Sequence, residues 1–173
     1  NLKCPYCSVT YRDTHSRLEM DTIKNYVETL KRYGLKAVIL TGGGEPLAYK
    51  HINELVRYLK SQDLSVALIT NGTLTKRVDD DVWGMFDWIR VSINVFGKWV
   101  QSIHLPLDKI DFSKTTVGCS MVYTVEHEMS DEIMTDRAAL LRKAAQVADQ
   151  CGAEYVRLLP NCLLEQKDLI MQH

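Results

Sequence analysis

No stretch of this chain is apolar for long enough to cross a bilayer as a helix, and no secretory leader precedes Cys4. Charge of one sign is also missing. The formal net charge is −1 and the isoelectric point about 6.6, which argues against a dedicated nucleic-acid-binding surface. A nucleotide or modified-RNA substrate stays open. The five cysteines are odd in number and carry no secretory signal, so they read as thiols of a cytoplasmic protein and not as a disulfide framework. Internal repeats, low-complexity tracts and linkers are absent. What remains is an ordinary globular composition, 46% hydrophobic and 25% charged over 173 residues, enough for one domain with a substantial core.

Helical and extended patterns alternate along the chain. Met20, Ile23, Val27 and Leu30 recur at helical spacing ahead of Gly34. Ala37 to Leu40 reads as a strand buried on both faces. Ile52, Leu55, Val56 and Leu59 form a second helical stripe, and Val66 to Ile69 a second strand ending in Thr70-Asn71-Gly72. A short helix is predicted between Thr75 and Met85. Trp88 to Asn94 and Val117 to Tyr123 read as further strands. Leu141, Ala144, Ala148 and Cys151 mark a long helix stopped by Gly152. Tyr155 to Leu159 is a fifth strand, and Glu165 to Gln172 begins a last helix. This alternation predicts βαβ units around a parallel sheet, closed into a barrel or doubly wound, with ligands at the C-terminal ends of the strands. The glycine-rich and polar segments fall at those ends: Thr41 to Pro46, Thr70 to Gly72, Ser92 to Asn94 and Pro160 to Cys162.

Two elements carry chemistry by residue type. Cys4 and Cys7 form a Cys-x-x-Cys pair, which suits a zinc half-site, a redox dithiol, part of an iron–sulfur site, or two unligated thiols. Zinc would need two more soft ligands, of which His15 is the nearest candidate. Gly42-Gly43-Gly44-Glu45-Pro46 follows a strand, where missing Cβ atoms let a ligand approach the backbone. It lacks the Lys-Ser/Thr ending of a phosphate loop. Glu45 offers a carboxylate to a ligand's ammonium group, or else is a solvated turn residue. Arg90, Ser92 and Asn94 alternate along one strand and so share a face. Cys119 and Cys151 read as core residues, Cys162 as a bystander or an active-rim thiol, and Asp79-Asp80-Asp81 as a solvated helix face.

In combination these motifs resemble the radical S-adenosylmethionine (radical SAM) enzymes. Asn1 to Cys7 is similar to that superfamily's Cys-x-x-x-Cys-x-aromatic-Cys loop, with Cys4 and Cys7 at the second and third cysteines and Tyr6 at the aromatic position. Gly43-Gly44-Glu45 resembles its Gly-Gly-Glu motif, with Pro46 following. Thr70-Asn71-Gly72 resembles the turn after its third strand, and Gly118 and Ser120 match part of its fifth-strand pattern. The resemblance implies a partial (β/α)₆ barrel over residues 1–173, with the first cysteine and first strand lying ahead of Asn1 and an extension beyond His173. It implies a [4Fe-4S] cluster on Cys4 and Cys7, and S-adenosylmethionine held by Tyr6, Gly43, Gly44, Glu45, Pro46, Thr70, Asn71, Ser92, Asn94 and Leu159. It also implies an electron donor such as flavodoxin or ferredoxin, and an unidentified substrate. A zinc-stabilised binding module and a non-catalytic barrel scaffold are the alternatives from other functional classes.

Overall fold

The structure, a computed structural model, describes residues 16–93, 103–123 and 137–160, together with positions 2, 4, 7, 95, 96, 99 and 100. Five strands form one wholly parallel sheet: β1 (Ala37–Leu40), β2 (Ser65–Thr70), β3 (Trp88–Ser92), β6 (Thr116–Tyr123) and β7 (Tyr155–Pro160), in that order across the sheet. Helices α1 (Met20–Arg32), α2 (Ile52–Ser61), α3 (Asp80–Trp83) and α4 (Arg137–Gln150) alternate with them. A two-stranded antiparallel hairpin, β4 (Val95–Phe96) and β5 (Trp99–Val100), follows β3. Neither edge strand, β1 nor β7, pairs with the other among the described residues. The result is an open, barrel-type α/β sheet: the alternation predicts the parallel sheet, and the family resemblance the partial barrel.

The two faces of the sheet differ sharply. In-register pairing puts Ala67, Trp88 and Thr116 on one face and Leu68, Ile89 and Val117 on the other. Val66, Leu68, Ile89, Val91, Val117 and Cys119 are completely buried beneath the helices. Ile52, Leu55, Val56 and Leu59 of α2 are buried against them, as their spacing predicts, and removing one such side chain from water contributes about 1.5–3 kcal/mol. Helix α1 stops because Gly34 takes φ +90°, a conformation only glycine enters readily.

Several expectations need correction. Strand β1 is not buried on both faces: Ile39 is 56% exposed, because β1 is an edge and its open face is uncovered. Leu30 and Leu141 are exposed as well. Among the described side chains of α4 the buried ones are Ala144, Val147 and Ala148, with buried Cys151 just past its end, and the helix packs on β6 and β7. The helix expected between Thr75 and Met85 is a 3-10 turn (Thr75–Arg77) followed by the single turn of α3. Strand β3 ends at Ser92, and the hairpin after it was missed because two-residue strands are too short to show alternation. Asp79 and Asp81 are not merely solvated. Both accept hydrogen bonds from Arg57 at 2.7 Å, which ties α3 to α2. The helix expected from Glu165 to Gln172 lies outside the described residues.

Asp87 fixes the entry to the sheet. Its carboxylate accepts the Val66 N–H at 2.7 Å and the Lys60 ammonium at 2.9 Å, while its own N–H donates to the Val66 carbonyl at 2.9 Å. Burial alone would raise this carboxyl, but the Val66 N–H and Lys60 outweigh it and hold Asp87 below the usual carboxylate range. The folded form therefore holds its proton less tightly than the unfolded chain. The stabilisation is fully present above pH ~4 and is lost as pH falls through the lowered value. Asp87→Asn should cost about 1–2 kcal/mol at pH 7 in denaturant unfolding, and much less near pH 2. An equal cost at both pH values would show that Asp87 acts through packing alone.

Candidate cofactor site at the strand ends

The ends of β1 and β2 are joined through one carboxylate. Glu45 is only 9% exposed. Its Oε1 accepts the Leu47 N–H at 3.1 Å, capping the 3-10 turn Pro46–Ala48. The same oxygen accepts the Thr70 hydroxyl at 2.6 Å, and Oε2 accepts the Asn71 N–H at 2.8 Å. Thr70 is 1% exposed and its Oγ1 in turn accepts the Gly72 N–H at 3.0 Å. Asn71 Oδ1 accepts both the N–H (3.0 Å) and the hydroxyl (2.7 Å) of Thr73. A carboxylate has about four acceptor positions, and the described residues use three. The fourth, on Oε2, is the one a ligand's ammonium group could take.

The glycine run is shaped by contact as well as by composition. A Cβ on Gly42 would lie 2.6 Å from the Gly44 carbonyl oxygen, so the chain folds back on itself at this position. At Gly44 a Cβ would meet nothing within 4 Å. Gly43 and Gly44 are exposed, which leaves their backbone open to a ligand. Gly72 takes φ +72°, and a Cβ there would press within 2.8 Å of Ile103. Gly42 and Gly72 were thus underrated by sequence reasoning: motif position drew attention to their neighbours, whereas steric contact singles them out.

The remaining predicted residues distribute as follows. Ser92 ends β3 on the open face, together with Arg90, as their alternation predicts. Leu159 lies on the open face of β7, opposite Val122. Pro46 opens the 3-10 turn that Glu45 caps. Tyr6 and Asn94 lie outside the described residues, as does Cys162. Cys119 and Cys151 are buried in the core. An elongated cavity of about 590 Å³ runs beside the glycine segment between α1, β1 and α2. Its walls are mainly aliphatic, including Ile23, Val27, Leu55 and Leu59, and no residue of β2 or β3 lines it. It follows β1 and opens at the strand-end rim, where Gly42, Gly43, Gly44, Glu45 and Pro46 also line it.

Cys4 and Cys7 share a turn in which the Cys7 N–H donates to the Cys4 carbonyl at 3.1 Å. Both cysteines are half-buried. Burial, and then the neighbouring Cys7, push the Cys4 thiol above its ordinary value. The Cys4 thiol thus keeps its proton until a bound cation displaces it. The pair fits as two of the thiolate donors of an iron–sulfur cluster. Among the described residues no third His, Cys, Asp or Glu completes a metal-binding group with them.

The family model described as the Radical SAM superfamily matches residues 1–98, more than half of the chain. The chain belongs to the radical SAM superfamily. An S-adenosylmethionine-dependent nucleotide dehydratase of Selenomonas ruminantium is 30% identical over 97 residues, which is 54% of this chain and 35% of the relative. A 7-carboxy-7-deazaguanine synthase of Hyperthermus butylicus is 36% identical over 88 residues, 50% of this chain and 37% of the relative. A crystal structure of archaeal TYW1 aligns over 88% of this chain and 56% of its own with a TM-score of 0.46 and 15% identity. The chain spans about a third of the length of the curated relatives it matches.

The two glycines separate folding from ligand approach. Gly42→Ala should destabilise the protein by about 1–3 kcal/mol, because the methyl group collides with backbone that cannot swing aside. Gly44→Ala should leave unfolding unchanged within about 0.5 kcal/mol. Equal unfolding midpoints for the two variants would contradict the fold-back geometry.

Proposed function

We propose that this protein reductively cleaves S-adenosylmethionine and uses the resulting 5′-deoxyadenosyl radical to abstract hydrogen from a substrate. The observations that support this reading are a Cys-x-x-Cys turn and a glycine rim braced by a buried carboxylate, both carried by a chain of this superfamily. A [4Fe-4S] cluster, when bound, supplies the electron that breaks the C5′–S bond and releases methionine. Cys4 and Cys7 would hold two of its irons, and Tyr6 would belong to the cofactor-binding set. A flavodoxin- or ferredoxin-type donor in the cytoplasm would deliver the electron.

The protein's own groups bind and orient the cofactor. The open backbone of Gly43 and Gly44 would accept from the methionine ammonium, and the free position on Glu45 Oε2 would pair with it. Thr70 and Asn71 act through Glu45: the Thr70 hydroxyl and the Asn71 N–H fix the carboxylate's plane, so no reorganisation is needed on binding. Pro46 sets the backbone that Glu45 caps. Ser92, at the end of β3, would reach the ribose together with Asn94, and Leu159 would give an apolar wall near the adenine. The aligned stretches of the two relatives cover about half of this chain, so their named reactions on nucleotide and deazaguanine compounds do not transfer with the alignment.

The test is anaerobic purification of the full-length protein, followed by assay of iron, sulfide and 5′-deoxyadenosine after reduction with S-adenosylmethionine. The expected result is about four irons per chain and deoxyadenosine formation. Cys4→Ala or Cys7→Ala should abolish both. Zinc without sulfide, or full activity in either variant, would overturn the proposal.

A further inference from the structure

The open face of the sheet has an unusual charge pattern. Across all five strands the only charged residues are Arg90 on β3 and Arg157 on β7, and no strand contains Asp or Glu. Both arginines face the side that the helices leave uncovered. The pairing puts Arg90 beside Gly118 and Tyr155, while Arg157 lies level with Ser120 and Ser92. Two guanidinium groups therefore flank β6 with two serines at the level of the second. Neither arginine has an ion-pair partner among the described residues, and they lie close enough for their charges to repel.

Arg90 is also held in position. Its guanidinium carbon lies 5.0 Å from the centre of the Trp88 ring, and Nε is buried with no hydrogen-bond partner. Trp88 Nε1 donates to the Tyr155 hydroxyl at 2.9 Å, which fixes the indole. Tyr155 in turn lies across Gly118, where a Cβ would come within 2.1 Å of the ring. A stacked guanidinium keeps its N–H edge free for planar, two-point recognition of an oxyanion. A partly buried guanidinium such as Arg90, with its Nε unpartnered and a second positive charge nearby, is costly unless a ligand neutralises it.

We infer that the open face between Arg90 and Arg157 is an oxyanion site, and that the substrate of this enzyme carries a phosphate group bound there. A phosphate carries up to two negative charges, which matches the two guanidinium groups better than a carboxylate does. The word substrate rests on the function proposed above; the anion site itself does not. The carboxylate of S-adenosylmethionine is the other source of an oxyanion near this face, so the test separates the two.

Inorganic pyrophosphate is titrated calorimetrically into the full-length protein and its Arg157→Gln and Arg90→Gln variants. S-adenosylmethionine is titrated in parallel into the same proteins after cluster reconstitution. Arg157 is exposed, so its variant should fold normally even if the Arg90 variant does not. The expected result is a pyrophosphate Kd of ~1 mM or tighter, weakened about tenfold or more in each folded variant, with cofactor affinity unchanged. Three outcomes would overturn the inference: no pyrophosphate binding by the wild type, no loss in the Arg157 variant, or loss of cofactor affinity in place of pyrophosphate affinity. Pyrophosphate binding in a protein that holds no cluster would support the anion site while sinking the radical chemistry.

Discussion

The arrangement of the strand-end rim depends on the Glu45 carboxylate. It accepts hydrogen bonds from the N–H of its own 3-10 turn, from the Thr70 hydroxyl and from the Asn71 N–H. Without those bonds, the glycine run after β1 and the Thr-Asn-Gly turn after β2 would be separate loops. With them, the two strand ends form one rigid edge. A carboxylate this buried is stable only because donors surround it, and a ligand's ammonium group would complete the set. In the proposed function, stability and cofactor recognition would draw on the same three hydrogen bonds.

The sheet divides its work by face. On one side, aliphatic strand residues and the α2 and α4 stripes form a dry core that sets the positions of the strand ends. On the other, Trp88, Arg90, Ser92, Ser120, Tyr155 and Arg157 stand on a surface the helices do not cover. Polar groups gathered on such a face, level with one another through strict parallel register, give a site its chemistry while the buried face gives it rigidity.

Much of this was legible in the sequence, for identifiable reasons. The α2 stripe and the β2 strand follow from periodicity because both lie against the centre of the core. Ser92 and Arg90 follow from alternation along a strand. The Cys-x-x-Cys and Gly-Gly-Glu segments are local, and so are their signals. What was missed depends on tertiary contact. Strand β1 has a buried strand's composition but lies at an edge. Gly42 is required by a backbone fold-back two residues away, and Gly72 by Ile103 more than thirty residues away. Thr70 reads as a ligand contact, yet its hydroxyl bonds are internal. Arg157 showed no motif at all, since its meaning comes only from standing across β6 from Arg90.

The most direct test of this account is a double-mutant cycle on S-adenosylmethionine affinity, combining Glu45→Gln with Thr70→Val in the reconstituted full-length protein. Thr70 is buried with its hydroxyl on Glu45, so in the proposed function it would act on the cofactor through Glu45. The account predicts that Thr70→Val alone weakens binding, and that the double variant is no weaker than Glu45→Gln, a coupling of about 1 kcal/mol or more. Unchanged affinity in Thr70→Val, or additive losses, would contradict the claim that one braced carboxylate organises the cofactor rim.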